Sequence, residues 1–178
     1  MKVFIAGPRV VTELDANITK RLDKVYNSNY TVIIGDADGI DSSVQRYFYN
    51  KNYQNVCVFA SNGKARNNIG NWKIENVVVE DNIKGFDFYA AKDSEMAKQA
   101  DYGFMIWNGE SKGTFNNIIN LINMNKEVLV YYIPAEKFYT IRNMEQLDKF
   151  IVQNKKLNSK LLKLIPKKVP GYVQMSML

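Results

Sequence analysis

Three carboxylates lie close together in one short segment that contains two glycines. Residues 35–43 read Gly-Asp-Ala-Asp-Gly-Ile-Asp-Ser-Ser and follow an apolar, β-branched run. Such a cluster repels a bare phosphate but suits ribose hydroxyls, a cation such as Mg²⁺, or acid–base chemistry by one carboxyl with a raised pKa. We take Asp38 and Asp41 as candidate catalytic residues, with a helix cap and solvated turn acids as the plainer alternative. The candidate ligand contacts in this segment are Gly35, Asp36, Gly39 and Ser42.

A second segment combines glycines and a hydroxyl with an apolar run of helical spacing. Residues 107–114 read Trp-Asn-Gly-Glu-Ser-Lys-Gly-Thr. Backbone N–H groups and the dipole at a helix N-terminus bind phosphate, although a helix cap at Thr114 explains the same residues. Lys112 precedes the second glycine instead of following it, so this is not a Walker A loop. The candidate contacts are Trp107, which could equally be a core residue, Asn108, Gly109, Ser111, Lys112, Gly113 and Thr114.

Three shorter segments add candidate contacts for an anion. Gly7, Pro8 and Arg9 follow the first apolar run, where Arg9 offers a fork for phosphate or carboxylate or is simply a surface arginine. Lys92 and Asp93 open a helical segment and either face the same pocket or form an exposed ion pair. The polar, basic segment 61–68 either clamps an anionic ligand or is an ordinary solvated loop.

The composition excludes several kinds of chemistry. The chain contains no histidine, which rules out an imidazole base, a Ser-His or Cys-His pair and a His-ligated zinc site. Its one cysteine, Cys57, lies in an apolar run, which favours a buried, unreactive thiol and allows no intramolecular disulfide.

The apolar pattern predicts an α/β fold. The runs are short, continuous and rich in β-branched or aromatic residues, as in strands buried on both faces of a parallel sheet. They cover residues 3–6, 32–34, 56–59, 104–107 and 128–132. Segments with helical spacing alternate with them, which predicts a Rossmann-like, doubly wound, mostly parallel sheet of about five to six strands with helices on both faces. Ligands then bind at the carboxyl ends of the strands.

The chain of 178 residues fits one domain, with a change of character after residue 133. We assign 1–133 to an α/β domain and 134–178 to a helical, Lys-rich extension with helices over 144–152 and 159–165. The segment 61–87 is less regular and holds one more strand candidate at 77–79. No run resembles a signal peptide or reaches transmembrane length, so we expect a cytoplasmic protein with no membrane partner.

The order and spacing of these loops resembles the Rossmann-like superfamily that joins the SLOG domains, the "Lonely Guy" phosphoribohydrolases, the DprA-type proteins and the nucleoside 2-deoxyribosyltransferases. The resemblance covers about residues 1–133. Residues 3–9 are similar to the first strand and turn of that superfamily, and 35–41 to its GG-x-x-G-x-D turn. Residues 92–96, followed by Ala-Asp at 100–101, are similar to its Arg-Asn-x-x-Met element, and 108–114 to its PGG-x-GT phosphate loop.

The resemblance implies a nucleotide or nucleotide-derived ligand across the strand ends. Phosphate would lie at the loop that ends in Thr114, and sugar or base near Asp41. By the same analogy a homo-oligomer is expected. The chain departs from the pattern where the hydrolases and transferases carry a glutamate, because Asn117 stands there. An amide is no nucleophile or base, but it can bind a sugar hydroxyl. Lys92 replaces an arginine, which keeps the charge but loses the bidentate fork.

Three functions follow as hypotheses. The first is a protein that senses or sequesters a nucleotide-derived ligand, such as an ADP-ribose-like molecule or a nucleoside phosphate. The alternative is an N-glycosidase or 2-deoxyribosyltransferase-like enzyme in which a carboxylate of the acidic loop replaces the missing glutamate. The third is a DprA-like, DNA-associated protein, since the chain has a formal net charge of +6. Nucleic acid is the less favoured partner.

Overall fold

Seven strands form a single, mostly parallel sheet. In this computed structural model, residues 1–154, 161, 163 and 164 are described. The strands are β1 (Lys2–Ala6), β2 (Thr31–Ile34), β3 (Val56–Ser61), β4 (Lys73–Val77), β5 (Tyr102–Trp107), β6 (Val128–Tyr132) and β7 (Lys137–Ile141). Their order across the sheet is β4-β3-β2-β1-β5-β6-β7, and only β7 runs antiparallel to its neighbour. The predicted α/β, Rossmann-like fold is confirmed.

In the described part of the chain, five α-helices cover the two faces of the sheet. They are α1 (Ala16–Asn27), α2 (Ile40–Asn50), α3 (Phe86–Gln99), α4 (Lys112–Asn123) and α5 (Met144–Gln153). Successive side chains of a strand point to opposite faces. Accordingly Val3 and Ile5 pack with α1 and α2, whereas Phe4 packs with α3, α4 and α5. The sheet is therefore buried on both sides, which explains why its strands are continuous apolar runs.

The chain reverses its direction of travel across the sheet at β1. β1 pairs with β2 on one side and with β5 on the other. Such a switch point separates the loops after the two neighbouring strands and opens a crevice at their carboxyl ends. The loops that follow β1 and β5 are the two that carry Arg9 and the Asn108–Thr114 residues.

The structure differs from the sequence prediction mainly at the edges of the sheet. The strand expected at 77–79 lies earlier, as β4 at Lys73–Val77. β7 was not predicted, and it pairs along its whole length with β6, so part of the segment expected to be helical belongs to the sheet. The helix expected over 144–152 is present as α5, and the one over 159–165 lies outside the described residues.

Side-chain caps begin both α1 and α4. Asp15 caps α1, where its side chain accepts hydrogen bonds from the backbone of Asn17 and Ile18. Ser111, and not Thr114, caps α4. Within the described part of the chain, no helix has the length and apolar character needed to cross a membrane.

Candidate functional site

A cavity of about 440 Å³ opens at the carboxyl ends of the strands, at the switch point. Its walls come from the loops after β1, β2, β3 and β5 and from the first turns of α3 and α4. The lining residues are Ala6, Gly7, Pro8, Arg9, Val10, Ala37, Asp41, Arg66, Phe86, Tyr89, Ala90, Lys92, Asp93, Met96, Asn108, Glu110, Ser111, Gly113, Thr114 and Asn117. Its place and size are those of a small-molecule site in an open α/β sheet.

The first turn of α4 is a preformed wall of this cavity. Asn108 Oδ1 accepts hydrogen bonds from the backbone of Ser111 at 2.9 Å and of Glu110 at 3.1 Å, which fixes the loop. Ser111 Oγ accepts from the backbone N–H of Thr114 at 3.3 Å, and the Ser111 carbonyl accepts from Phe115. The backbone N–H groups of Lys112 and Gly113, the other two in this turn, remain available to an acceptor outside the protein.

Asp36 is the centre of an ion-pair cluster at the cavity wall, in which Asp36 and Lys92 are buried and Arg66 is exposed. Its Oδ1 lies 2.5 Å from Lys92 Nζ and 2.8 Å from Arg66 Nη2. Its Oδ2 accepts hydrogen bonds from the Arg66 backbone at 3.0 Å and from Arg66 Nε at 3.1 Å. Burial alone would raise the pKa of Asp36, but the hydrogen bonds from Arg66 and Lys92 outweigh it and hold the pKa well below its ordinary range. Asp36 is therefore a fixed anion that joins α3 to two loops.

Gln45 holds those two loops together. It is fully buried on α2, and its Nε2 donates to the carbonyl of Gly35 at 2.9 Å and to that of Asn67 at 3.3 Å. Its Oε1 accepts from the backbone of Ile69 at 3.0 Å. The loop after β3 is thereby fixed beside the loop after β2, which places Arg66 against Asp36.

Two further carboxyls line the cavity and have unusual pKa values. Burial raises the pKa of Asp41 to about 7, since the opposing charge of Lys92 does not compensate for it. Burial likewise raises the pKa of Asp93 to about 6, against the lowering effects of Lys92, Asn117 and Arg9. Near neutral pH, this part of the cavity therefore exchanges protons, unlike the permanently charged Asp36 beside it.

Asn117 is the one buried, unsatisfied group among the described residues that line the cavity. Only 3% of the residue is exposed. Its side chain hydrogen-bonds to the carboxyl of Asp93, but its Oδ1 has no hydrogen-bond partner. A buried acceptor without a donor costs free energy, so the site is incomplete until a donor approaches this oxygen.

The cavity brings together many of the residues predicted from the sequence. They are Gly7, Pro8, Arg9, Asp41, Lys92, Asp93, Asn108, Ser111, Gly113, Thr114 and Asn117. Others lie next to the cavity without lining it. These are Gly35, Asp36, Asp38, Gly39, Ser42, Trp107, Gly109 and Lys112.

Two of these residues lie apart from the cavity. Trp107 is fully buried, and its ring is stacked on Phe115 at 5.2 Å between ring centroids, so it is a core residue, which is the alternative that the sequence left open. Asp38 is exposed, and its Oδ1 accepts a hydrogen bond from Asn67 at 3.0 Å. Asp38 is not among the residues that line the cavity.

The three carboxylates of the acidic loop have separate surroundings. Asp36 is paired with Lys92 and Arg66, Asp38 faces solvent and Asp41 is buried beside the backbone N–H of Ala37. Across the described residues, no three acidic or cysteine side chains form a group that could hold a metal ion.

Two glycines allow the loops to approach each other this closely. A Cβ on Gly35 would collide with the carboxylate of Asp41, and one on Gly7 would lie 2.6 Å from the Ile40 side chain. The loops after β1 and β2 and the start of α2 are in contact only because both positions lack a side chain.

Phe86 and Tyr89 are lining residues that the sequence reading missed. Both lie on the first turn of α3, and Phe86 falls in the segment 61–87, which was interpreted as less regular. A signal was present, because Phe86, Tyr89, Lys92 and Met96 have the spacing of one helical face.

Comparison with known proteins adds no assignment: no protein-family model matches the chain, and no curated protein matches it either.

Proposed function

We propose that the protein binds a nucleotide or nucleotide-derived ligand in this cavity, as a sensor or sequestering protein. The observation that carries the proposal is the unpaired, buried Oδ1 of Asn117 beside Asp93. This oxygen needs a hydrogen-bond donor from the ligand. The N-terminus of α4, which lines the same cavity, needs an acceptor or an anion. A phosphorylated sugar carries both.

The acidic side of the cavity favours hydroxyl groups. Asn117 Oδ1 can only accept, and the carboxyls of Asp41 and Asp93 accept in their charged form. A phosphate oxygen is also an acceptor, so it cannot partner Asn117 Oδ1. A sugar hydroxyl or an exocyclic amine supplies the missing donor, and a vicinal diol supplies two.

Another part of the cavity lining favours the anionic group. Arg9 lines the cavity, and no described carboxylate lies within ion-pair distance of its guanidinium. The first turn of α4 adds backbone N–H groups and the positive end of the helix dipole. Gly113 lies in this turn, and a Cβ there would have open space around it, so a ligand can come close to the backbone.

The similarity to SLOG-type loops supports the same class of ligand, and Asn117 favours binding over catalysis. In that superfamily the enzymes carry a glutamate at this position. An asparagine keeps the hydrogen bond to a sugar hydroxyl but has no lone pair basic enough to attack or deprotonate.

The test is a calorimetric titration with AMP, 2′-deoxy-AMP, adenosine and ADP-ribose. We expect the phosphorylated ribosides to bind more tightly than adenosine. Asn117→Leu should weaken AMP binding about 10-fold or more, because a buried hydrogen bond contributes about 1–3 kcal/mol. Asn123→Leu is the matched control, since Asn123 lies on the same helix and is exposed.

Two results would contradict the proposal. One is that no member of the panel binds. The other is that Asn117→Leu and Asn123→Leu bind AMP as the unaltered protein does, while both remain folded.

A second candidate function, cleavage of an N-glycosidic bond, is favoured by one specific observation. Asp41 and Asp93 line the cavity with pKa values raised to about 7 and about 6, so a protonated and a charged carboxyl coexist near neutral pH. Such a pair can protonate a leaving base and stabilise an oxocarbenium-like transition state. Asp36 is excluded from this role because its carboxylate is held by two cations.

Base release from nucleosides and nucleotides, followed by chromatography, tests this second function. If it is correct, Asp93→Asn and Asp41→Asn lower the rate by at least about 100-fold, whereas Asp38→Asn, in the same loop but outside the cavity, leaves it unchanged. Absence of base release from every substrate would eliminate catalysis and leave binding alone.

A further inference from the structure

Three cations from three different segments lie against the aromatic rings of one helical turn. The Arg9 guanidinium carbon lies 4.5 Å from the centroid of the Tyr89 ring, and that of Arg66 lies 5.2 Å from the same centroid. Lys112 Nζ lies 4.1 Å from the centroid of Phe86. These are cation–π distances; Arg9 and Arg66 lie in the loops after β1 and β3, and Lys112 is the first residue of α4.

The helical turn that carries the two rings begins without a side-chain cap. Gly85 precedes α3 with a φ of 64°, and no side chain caps the helix. Phe86, Tyr89 and Lys92 follow at intervals of three and so share one face. Lys92, one turn further on, is fixed by Asp36 at 2.5 Å. The cation–π contacts therefore hold the first turn, and the ion pair holds the second.

Two of the three cations have no stronger partner. Arg66 is bound in two places by the carboxylate of Asp36. For Arg9 and Lys112, in contrast, no carboxylate of the described residues lies within 4.0 Å. A charge-assisted hydrogen bond to an oxyanion is stronger than a cation–π contact at a partly exposed site. An anion that reaches the cavity can therefore take these cations from the rings.

We infer that Phe86 and Tyr89 form an aromatic lid that competes with the ligand's anionic group for Arg9 and Lys112, and so determines which ligands the site accepts. A neutral ligand leaves the cations on the rings and the first turn of α3 in place. An anionic ligand binds the cations and releases that turn, so that binding changes the conformation at the start of α3. The inference depends on the proposed function only for the rest of the ligand, not for its anionic group.

The test uses inorganic pyrophosphate as the anionic ligand and adenosine as the neutral ligand. We expect pyrophosphate to increase amide hydrogen exchange in residues 86–91, and adenosine not to do so. Phe86→Leu keeps an apolar side chain but removes the ring, so its pyrophosphate affinity should rise by about two- to fivefold, the equivalent of one exposed cation–π contact. Tyr89→Leu should act in the same direction.

Two controls separate the lid from a general effect on α3. Phe88→Leu changes a ring of the same turn that contacts no cation, and should leave pyrophosphate affinity unchanged. In a Lys112→Met background, where the cation is gone, Phe86→Leu should no longer raise the affinity. A coupling between positions 86 and 112 is specific to the contact between them.

Each outcome has one meaning. Tighter pyrophosphate binding in Phe86→Leu, lost in the Lys112→Met background, supports the lid. Unchanged or weaker binding in Phe86→Leu overturns it, as does the absence of pyrophosphate binding in every variant. If pyrophosphate behaves as expected while adenosine, AMP and ADP-ribose do not bind, the lid stands and the proposed nucleotide ligand is wrong.

Discussion

At the scale of single residues, the cavity region shows how surroundings give three aspartates different chemistry. Asp36 is surrounded by donors and stays charged, whereas Asp41 and Asp93 are buried with too little compensation and hold their protons towards neutral pH. The sequence placed Asp36 and Asp41 in one loop but could not distinguish their roles, because Arg66 and Lys92 reach them from distant positions.

The ion-pair cluster predicts a large cost for removing its centre. Asp36→Asn leaves the buried ammonium of Lys92 without its partner, and we expect the free energy of unfolding to fall by about 3 kcal/mol at pH 7. Asp38→Asn, an exposed change in the same loop, should cost less than about 0.5 kcal/mol. Urea denaturation of both variants measures the difference. Equal stabilities would show that Asp36 does not hold α3 to the loops.

At the scale of elements, the central strands could be predicted and the edge strands could not. β1, β2, β5 and β6 are covered on both faces and therefore carry an unbroken apolar signal. The edge strands β4 and β7 are mostly exposed, so their residues give no such pattern. The start of α3 was missed for a related reason, since it packs on a cavity and on cations and not on the sheet.

The first turn of α4 allows binding and stability to be separated. Gly113 is helical with open space around a Cβ, so Gly113→Ala should raise the free energy of unfolding by about 0.5–1 kcal/mol. Gly113→Asp should also leave the fold intact, because a negative charge at a helix N-terminus is favourable. The same charge should weaken AMP binding about 10-fold or more by repulsion of the phosphate. Thermal denaturation and calorimetry on both variants check this, and unchanged AMP binding in Gly113→Asp would place the phosphate elsewhere.

At the scale of the whole molecule, the three aspartates combine into one pH profile. The pKa of Asp36 is lowered on folding, so its contribution to stability is present above about pH 4 and is lost as the pH falls. The pKa values of Asp41 and Asp93 are raised on folding to about 7 and about 6, so the folded state holds protons that the unfolded state has released. Stability therefore declines as the pH rises from about 4 to about 7.

We expect the free energy of unfolding to be greatest near about pH 4 and to fall on both sides. Asp41→Asn should flatten the decline above that maximum by on the order of 2–4 kcal/mol, because it removes a group that must lose a proton in a buried site. Urea denaturation from pH 3 to pH 8 measures both curves. A profile that rises steadily from pH 5 to pH 8 in the unaltered protein would contradict the raised pKa values.

The position of β1 has a consequence for the order in which the molecule is assembled. β1 pairs with β5, and the backbone of Lys2 donates to Asp101, a residue 99 positions away in the chain. During synthesis β1 can pair with β2 early, but its other edge stays open until β5 has left the ribosome. The cavity lies at that junction, so it can form only after β5 and the start of α4 have been synthesised. A nascent chain halted before β5 would carry the acidic loop but no place for a ligand.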